Sequence, residues 1–121
     1  VPDDRKTLEE AMIDMADHLG LDLVVTSGGT GFSKRDVTPE ATKAVGEREA
    51  PGISEAIRMY SLEVTKRAML SRGVSVIRGK TLIINLPGSP KAVQENLGYI
   101  LPSLEHGIRI AAGLDGECAR K

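Results

Sequence analysis

Aromatic side chains are nearly absent: the 121 residues hold no tryptophan, two tyrosines and one phenylalanine. A domain without stacking platforms is poorly equipped to hold single-stranded nucleic acid, and its packing must rest on Leu, Ile, Val, Met and Ala. Net charge is equally sparse. Sixteen Lys and Arg against 17 Asp and Glu leave −1, too little field to draw in DNA or an anionic membrane, although a local cluster can still hold one phosphate. The single cysteine, Cys118, cannot close an intramolecular disulfide and supplies no CxxC or zinc-finger set, which points to the cytoplasm. No apolar run approaches the roughly 20 residues of a membrane helix, and Val1-Pro2-Asp3-Asp4 does not open like a secretion signal. His18 and His106 fall on expected helices with no second ligand at helical spacing, so neither reads as a metal ligand.

What is present describes one globular domain over residues 1–121, 40% hydrophobic and 27% charged. At this length folding buries roughly two-thirds of the unfolded surface, and no metal or disulfide staple is needed. Leu8, Ala11, Met12, Met15 and Leu19 recur at helical spacing, with Asp3 or Asp4 as N-cap and Gly20 as stop. Leu21 to Thr26 is a nearly continuous apolar run, expected as a parallel central strand covered on both faces. Thr38-Pro39-Glu40 predicts a helix start with Thr38 as N-cap. Glu47 to Ala50 reads as the end of a helical stretch broken at Pro51-Gly52, with Ile53, Ile57 and Val64 marking a further helical face and Lys66 to Leu70 a short helical segment. Val74 and Val76, Arg78-Gly79-Lys80, then Thr81 to Asn85 predict a hairpin. After the turn Pro87-Gly88-Ser89-Pro90, a last helix through Val93, Leu97, Ile100 and Leu104 should kink or split at Pro102 before Gly113 ends it. The alternation implies an α/β fold, a three-layer α/β/α sandwich with a mostly parallel sheet.

Ligands of such sheets bind beyond the carboxyl ends of strands, where Ser27-Gly28-Gly29-Thr30-Gly31 stands. Glycines let successive backbone N–H groups turn toward one point. The loop is therefore either a phosphate cradle or a tight strand-to-helix connection, and it fits neither the dinucleotide nor the P-loop spacing. Arg35 can grip phosphate oxygens, whereas Asp36 beside it repels an anion unless a cation intervenes; magnesium would reconcile the two, and a solvated loop pair is the plainer alternative. Asp3 either caps the first helix or, at the end of a strand Val1-Pro2-Asp3, shares a magnesium-nucleotide with Asp36. Ser61, Ser71 and Asn85 read by themselves as cap or turn residues.

In order along the chain, Val1-Pro2-Asp3-Asp4, Thr26-Ser27-Gly28-Gly29-Thr30-Gly31, Arg35-Asp36-Val37-Thr38-Pro39-Glu40-Ala41-Thr42, Arg48-Glu49-Ala50-Pro51-Gly52, Ala68-Met69-Leu70-Ser71-Arg72 and Asn85-Leu86-Pro87-Gly88-Ser89-Pro90 closely resemble the molybdopterin adenylyltransferase family, which includes the gephyrin G domain. The resemblance extends to about Ala112. It implies a trimeric α/β/α enzyme that adenylylates the terminal phosphate of molybdopterin with Mg-ATP, releases pyrophosphate and passes its product to a molybdate-inserting partner. The two essential acids match Asp3 and Asp36 as magnesium ligands; Ser27, Gly28, Gly29, Thr30 and Gly31 match the phosphate loop; Ser61, Ser71 and Asn85, with Thr30, match the polar residues on the pterin side. The resemblance also implies that this chain lacks the family's N-terminal strand-helix-strand segment. Two other functions are compatible: a non-catalytic molybdopterin-binding or trimeric scaffold module, and a competence-damage-type nucleotide-cleaving enzyme, whose loop reads differently after the glycines.

Overall fold

The computed structural model describes residues 4–113, so Val1, Pro2, Asp3 and Cys118 lie outside the described residues. Asp4 is the helix cap: its carboxylate accepts from the Thr7 N–H at 2.9 Å and hydroxyl at 2.8 Å, satisfying donors that the first turn leaves without partners. α1 (Arg5–Ile13) continues as a π-helical stretch, Asp14–His18, until Gly20 at φ +64° turns the chain. There follow β1 (Leu23–Ser27), α2 (Thr38–Val45), β2 (Arg48–Glu49), α3 (Pro51–Leu62), a 3-10 segment Lys66–Leu70, β3 (Ser75–Arg78), β4 (Thr81–Leu86) and α4 (Pro90–Ala111).

The strands form one sheet in the order β1-β4-β3-β2. The expected α/β/α sandwich is present, but the sheet is mixed where a mostly parallel one was expected. Only β1 and β4 run parallel; β3 pairs with β4, and β2 with β3, antiparallel. The cause is local. Gly79 at φ +57° lets the chain reverse within two residues between β3 and β4, whereas parallel neighbours need a long crossover. Two further expectations change: residues 47–50 contain the short strand β2 instead of helix, and β1 is an edge strand of the described sheet, paired on one side only.

Every residue of β4 is buried, and its side chains alternate between two cores. Ile83 joins Met12, Val24, Ala41, Val45 and Val76 under α1 and α2, while Leu82, Ile84 and Leu86 meet Ile57, Ile100 and Leu104 under α3 and α4. Burying each such side chain contributes about 1.5–3 kcal/mol, which makes β4 the anchor of both layers. α4 runs unbroken through Pro102 for 22 residues, so the helix does not split there. Proline's missing N–H is absent whether or not the helix splits, and a split would also uncover Leu104 and Ile108, which pack on the sheet. No helix among the described residues is long and apolar enough to cross a membrane.

Candidate functional site

β1 and β4 end side by side, and Gly28 N–H carries their ladder one residue further by donating to Leu86 C=O at 3.0 Å. Each strand then leaves in a loop that enters a helix: residues 28–37 lead to α2 and 87–89 to α4. The loops touch through glycine, since a Cβ on Gly88 would lie 3.3 Å from Gly28 Cα. Gly28 and Gly29 take φ of +85° and +70°, a region that L side chains rarely enter. Where Gly29 would carry a Cβ, the Thr38 hydroxyl already stands, and the Gly29 carbonyl accepts from Thr38 N–H at 3.2 Å. Thr38 is thus the first residue of α2 and not its cap; Val37 holds the cap position without a side-chain bond.

Past Gly28 the loop sorts its donors from its acceptors. Among the described residues, the N–H groups of Gly29, Thr30, Gly31 and Phe32 donate to no acceptor. The carbonyls of Thr30 and Gly31 are both taken, by Arg72 N–H at 2.8 Å and Arg72 Nε at 2.8 Å. Four successive free amides next to a parallel strand end have the donor arrangement of an anion cradle. The loop also receives Asp36: its Oδ2 accepts from Ser33 N–H at 3.0 Å and lies 2.9 Å from where a Gly31 Cβ would stand. Asp36 and the glycine loop are therefore brought together, as the sequence implied, while Arg35 is exposed.

Arg72 is the residue that sequence reasoning missed. Besides the loop carbonyls it donates to Asp36 C=O at 2.6 Å and to the Glu40 carboxylate at 2.6 Å. That bond is the main reason the Glu40 carboxyl is held below its ordinary range. The only sequence signal was its place beside Ser71 in a recognisable run. Ser71 sits at the same junction, its hydroxyl accepting from Gly73 N–H at 3.3 Å, and Arg58 of α3 ties the junction down through Gly73 C=O at 2.8 Å.

Asn85, at the carboxyl end of β4, is 3% exposed and uses its whole amide internally. Nδ2 donates to the hydroxyls of Thr26 at 3.0 Å and Thr42 at 2.9 Å, and Oδ1 accepts from Val74 N–H at 3.1 Å. It staples β1, α2 and the start of β3 behind the loop. Ser61 faces α4 instead, donating to Asn96 Oδ1 at 3.1 Å, and no contact joins it to the glycine loop among the described residues. A cavity of about 520 Å³ lies between α3 and α4 beside Leu82, at the end of β4 opposite the loop. A smaller one of about 250 Å³ reaches Thr26, Ser27 and Thr38. The described residues contain no group of three or more His, Cys, Asp or Glu able to hold a metal by themselves, and both histidines are exposed.

These features define an α/β/α domain with a donor-rich glycine loop at the carboxyl ends of two parallel strands. The chain belongs to the family described as the probable molybdopterin binding domain, whose model matches residues 1–106. It is 46% identical over 113 residues to the molybdopterin adenylyltransferase of Helicobacter pylori, covering 93% of this chain and 64% of that protein. It is 50% identical over 108 residues to gephyrin of Dictyostelium discoideum, covering 89% of this chain and 15% of that protein. The chain thus spans less than two-thirds of the length of these curated relatives. A crystal structure of the molybdopterin biosynthesis enzyme MoaB from Thermus thermophilus superposes with a TM-score of 0.87 at 48% identity, over 93% of this chain and 71% of that one.

Proposed function

We propose that residues 1–121 belong to the single catalytic domain of a molybdopterin adenylyltransferase. In this reading a terminal phosphate oxygen of molybdopterin attacks the α-phosphorus of ATP, the bond to the β-phosphate breaks, and adenylyl-molybdopterin and pyrophosphate leave. The observation that carries it is the run of four unpaired amides from Gly29 to Phe32 beside the Asp36 carboxylate. The amides suit the pterin phosphate, with the Thr30 and Ser71 hydroxyls nearby in the loop and its junction. No side-chain nucleophile is needed; the work is positioning and charge neutralisation. Magnesium arrives with ATP as part of the substrate and neutralises the triphosphate. One protein carboxylate with substrate phosphates suffices for such an ion, so Asp36 fits that part, joined by Asp3 outside the described residues. Asn85 serves by holding Thr26 and Val74 in place.

The whole protein is read as a cytoplasmic homotrimer that hands its product to a molybdate-inserting enzyme. Support for assembly comes from the apolar side chains Met59, Leu62, Val64, Met69 and Leu70, all exposed on α3, the 3-10 segment and the turn between them.

The test incubates the whole protein with molybdopterin and Mg-ATP. Adenylyl-molybdopterin should form, and Asp36→Asn should slow it roughly a hundredfold, about 3 kcal/mol of barrier, while molybdopterin affinity stays near wild type, since asparagine can still accept from Ser33 N–H. Binding without product would make the protein a pterin-binding or scaffold module, and cleavage of dinucleotides would move it to the competence-damage class.

A further inference from the structure

We propose that Arg72 is a positioning residue that aims the amides of the cradle. The inference rests on the reading of the loop as a phosphate site and adds the device that orients it. Arg72 takes three carbonyls from one side: Thr30 through its backbone N–H, Gly31 through Nε and Asp36 through Nη2. In a trans peptide the C=O and the following N–H point in opposite directions, and every described peptide here is trans. Fixing those three carbonyls on Arg72 therefore turns the N–H groups of Gly31, Phe32 and Val37 away from it. None of the three donates to an acceptor among the described residues. A glycine-rich segment has little else to choose its peptide orientation, because Gly31 tolerates either flip of its flanking planes.

Glu40 completes the device. Its carboxylate accepts from Nη1 at 2.6 Å and more weakly from Nη2 at 3.4 Å, which fixes the plane of the fork. Four segments meet on this one side chain: the glycine loop, the Asp36 turn, the first turn of α2 and the junction before β3. Lysine cannot replace it, since a single ammonium has no fork with which to reach all of these acceptors.

The test compares Arg72→Ala and Arg72→Lys with Arg78→Ala in the whole protein. Arg78 is a similarly bonded arginine, on Asp17 at 2.7 Å and the Val45 carbonyl at 2.9 Å, and its loss measures destabilisation alone. Molybdopterin binding is followed by calorimetry, and backbone exchange by mass spectrometry. Arg72→Ala should weaken molybdopterin at least tenfold and raise exchange selectively across residues 33–36, where the bonded amides of Ser33 and Asp36 lie, not across β4. Arg72→Lys should recover melting temperature more than affinity, and Arg78→Ala should bind within about twofold of wild type. The proposal is overturned if Arg72→Ala binds like wild type, or if Arg78→Ala loses as much affinity. Should the wild-type protein bind no molybdopterin, the proposed function fails, and exchange then decides this inference alone: a selective rise over residues 33–36 in Arg72→Ala supports it, and a uniform rise or none overturns it.

Discussion

Gly28 and Gly29 share a left-handed backbone, yet replacing them with alanine should have unequal consequences. At both positions an L side chain costs about 1–2 kcal/mol in that conformation, offset by about 0.4–1 kcal/mol from the stiffer unfolded chain. At Gly28 little more is expected, because its Cβ would meet only Gly88 Cα, at an ordinary 3.7 Å. At Gly29 the new methyl falls on the Thr38 hydroxyl and 3.3 Å from Thr38 Cβ, and Thr38 is 4% exposed at the start of α2, with little room to retreat. Forcing a methyl into packed surroundings adds about 1–3 kcal/mol. Gly29→Ala should therefore be less stable than Gly28→Ala by that amount, read as a lower urea midpoint at unchanged slope. A second pair made in a Thr38→Ser background leaves the hydroxyl in place and frees the methyl's space, so it should narrow the gap only slightly. Equal midpoints for Gly28→Ala and Gly29→Ala would refute the reasoning, since Thr38 would then not define the space at Gly29.

Asn85→Ala should lower stability by about 2–4 kcal/mol, because the part-buried Val74 N–H loses its acceptor and the Thr26 and Thr42 hydroxyls each lose a donor; urea denaturation measures it, and a loss under about 1 kcal/mol would show the staple to be dispensable. Acid should destabilise the domain in a defined direction. Hydrogen bonds from Thr7, Arg78 and Arg72 hold the carboxyls of Asp4, Asp17 and Glu40 below their ordinary values. The native state then binds fewer protons than the unfolded chain, so the stability these groups give is complete above the ordinary carboxylate range of about 4 and is lost as the pH falls through their folded values. Urea midpoints that rise on acidification through that window would contradict the assignment. Light scattering on the whole protein should give a trimer, and Met59→Glu with Met69→Glu should weaken it; a wild-type monomer at micromolar concentration would remove the assembly reading.

The elements written in short-range chemistry were legible in the sequence. An aspartate cap at position 3 or 4, Gly20 as a stop, the Gly79 hairpin and the Pro-Gly-Ser-Pro entry to α4 depend on residues a few positions apart, and the structure settles the cap on Asp4. Misread were the features decided by distant partners. Arg48 and Glu49 carry no strand pattern of their own and become a strand because Val76 and Ile77 offer an open edge. Pro102 keeps its helix because the sheet holds Leu104 and Ile108 on the far side. Within the site the glycine loop and Asp36 could be found from their order in the chain. Arg72 could not, since the acceptors of its side chain lie 32 to 41 residues away and no periodicity links them.

The same long-range bonds show how, in the proposed function, a chain of net charge −1 would present a site for anions. Arg72 sets its charge against the carbonyl ends of the loop peptides, and the Glu40 carboxylate lies on the same fork. The arginine is therefore largely neutralised by its own partners, which leaves the N–H groups of Gly29 to Phe32 as unpaired donors among the described residues. Dipoles fixed in place need no reorganisation when a phosphate enters, and they hold it without the long-range field that would attract nucleic acid. Asp36 fits that logic. A lone carboxylate 2.9 Å from the Gly31 Cβ position opposes a bare phosphate but welcomes one that arrives with its metal ion. In the proposed function, pterin phosphate and Mg-nucleotide would thus be told apart in a single loop, the first by amides oriented from behind by Arg72 and the second by an acid oriented by Ser33.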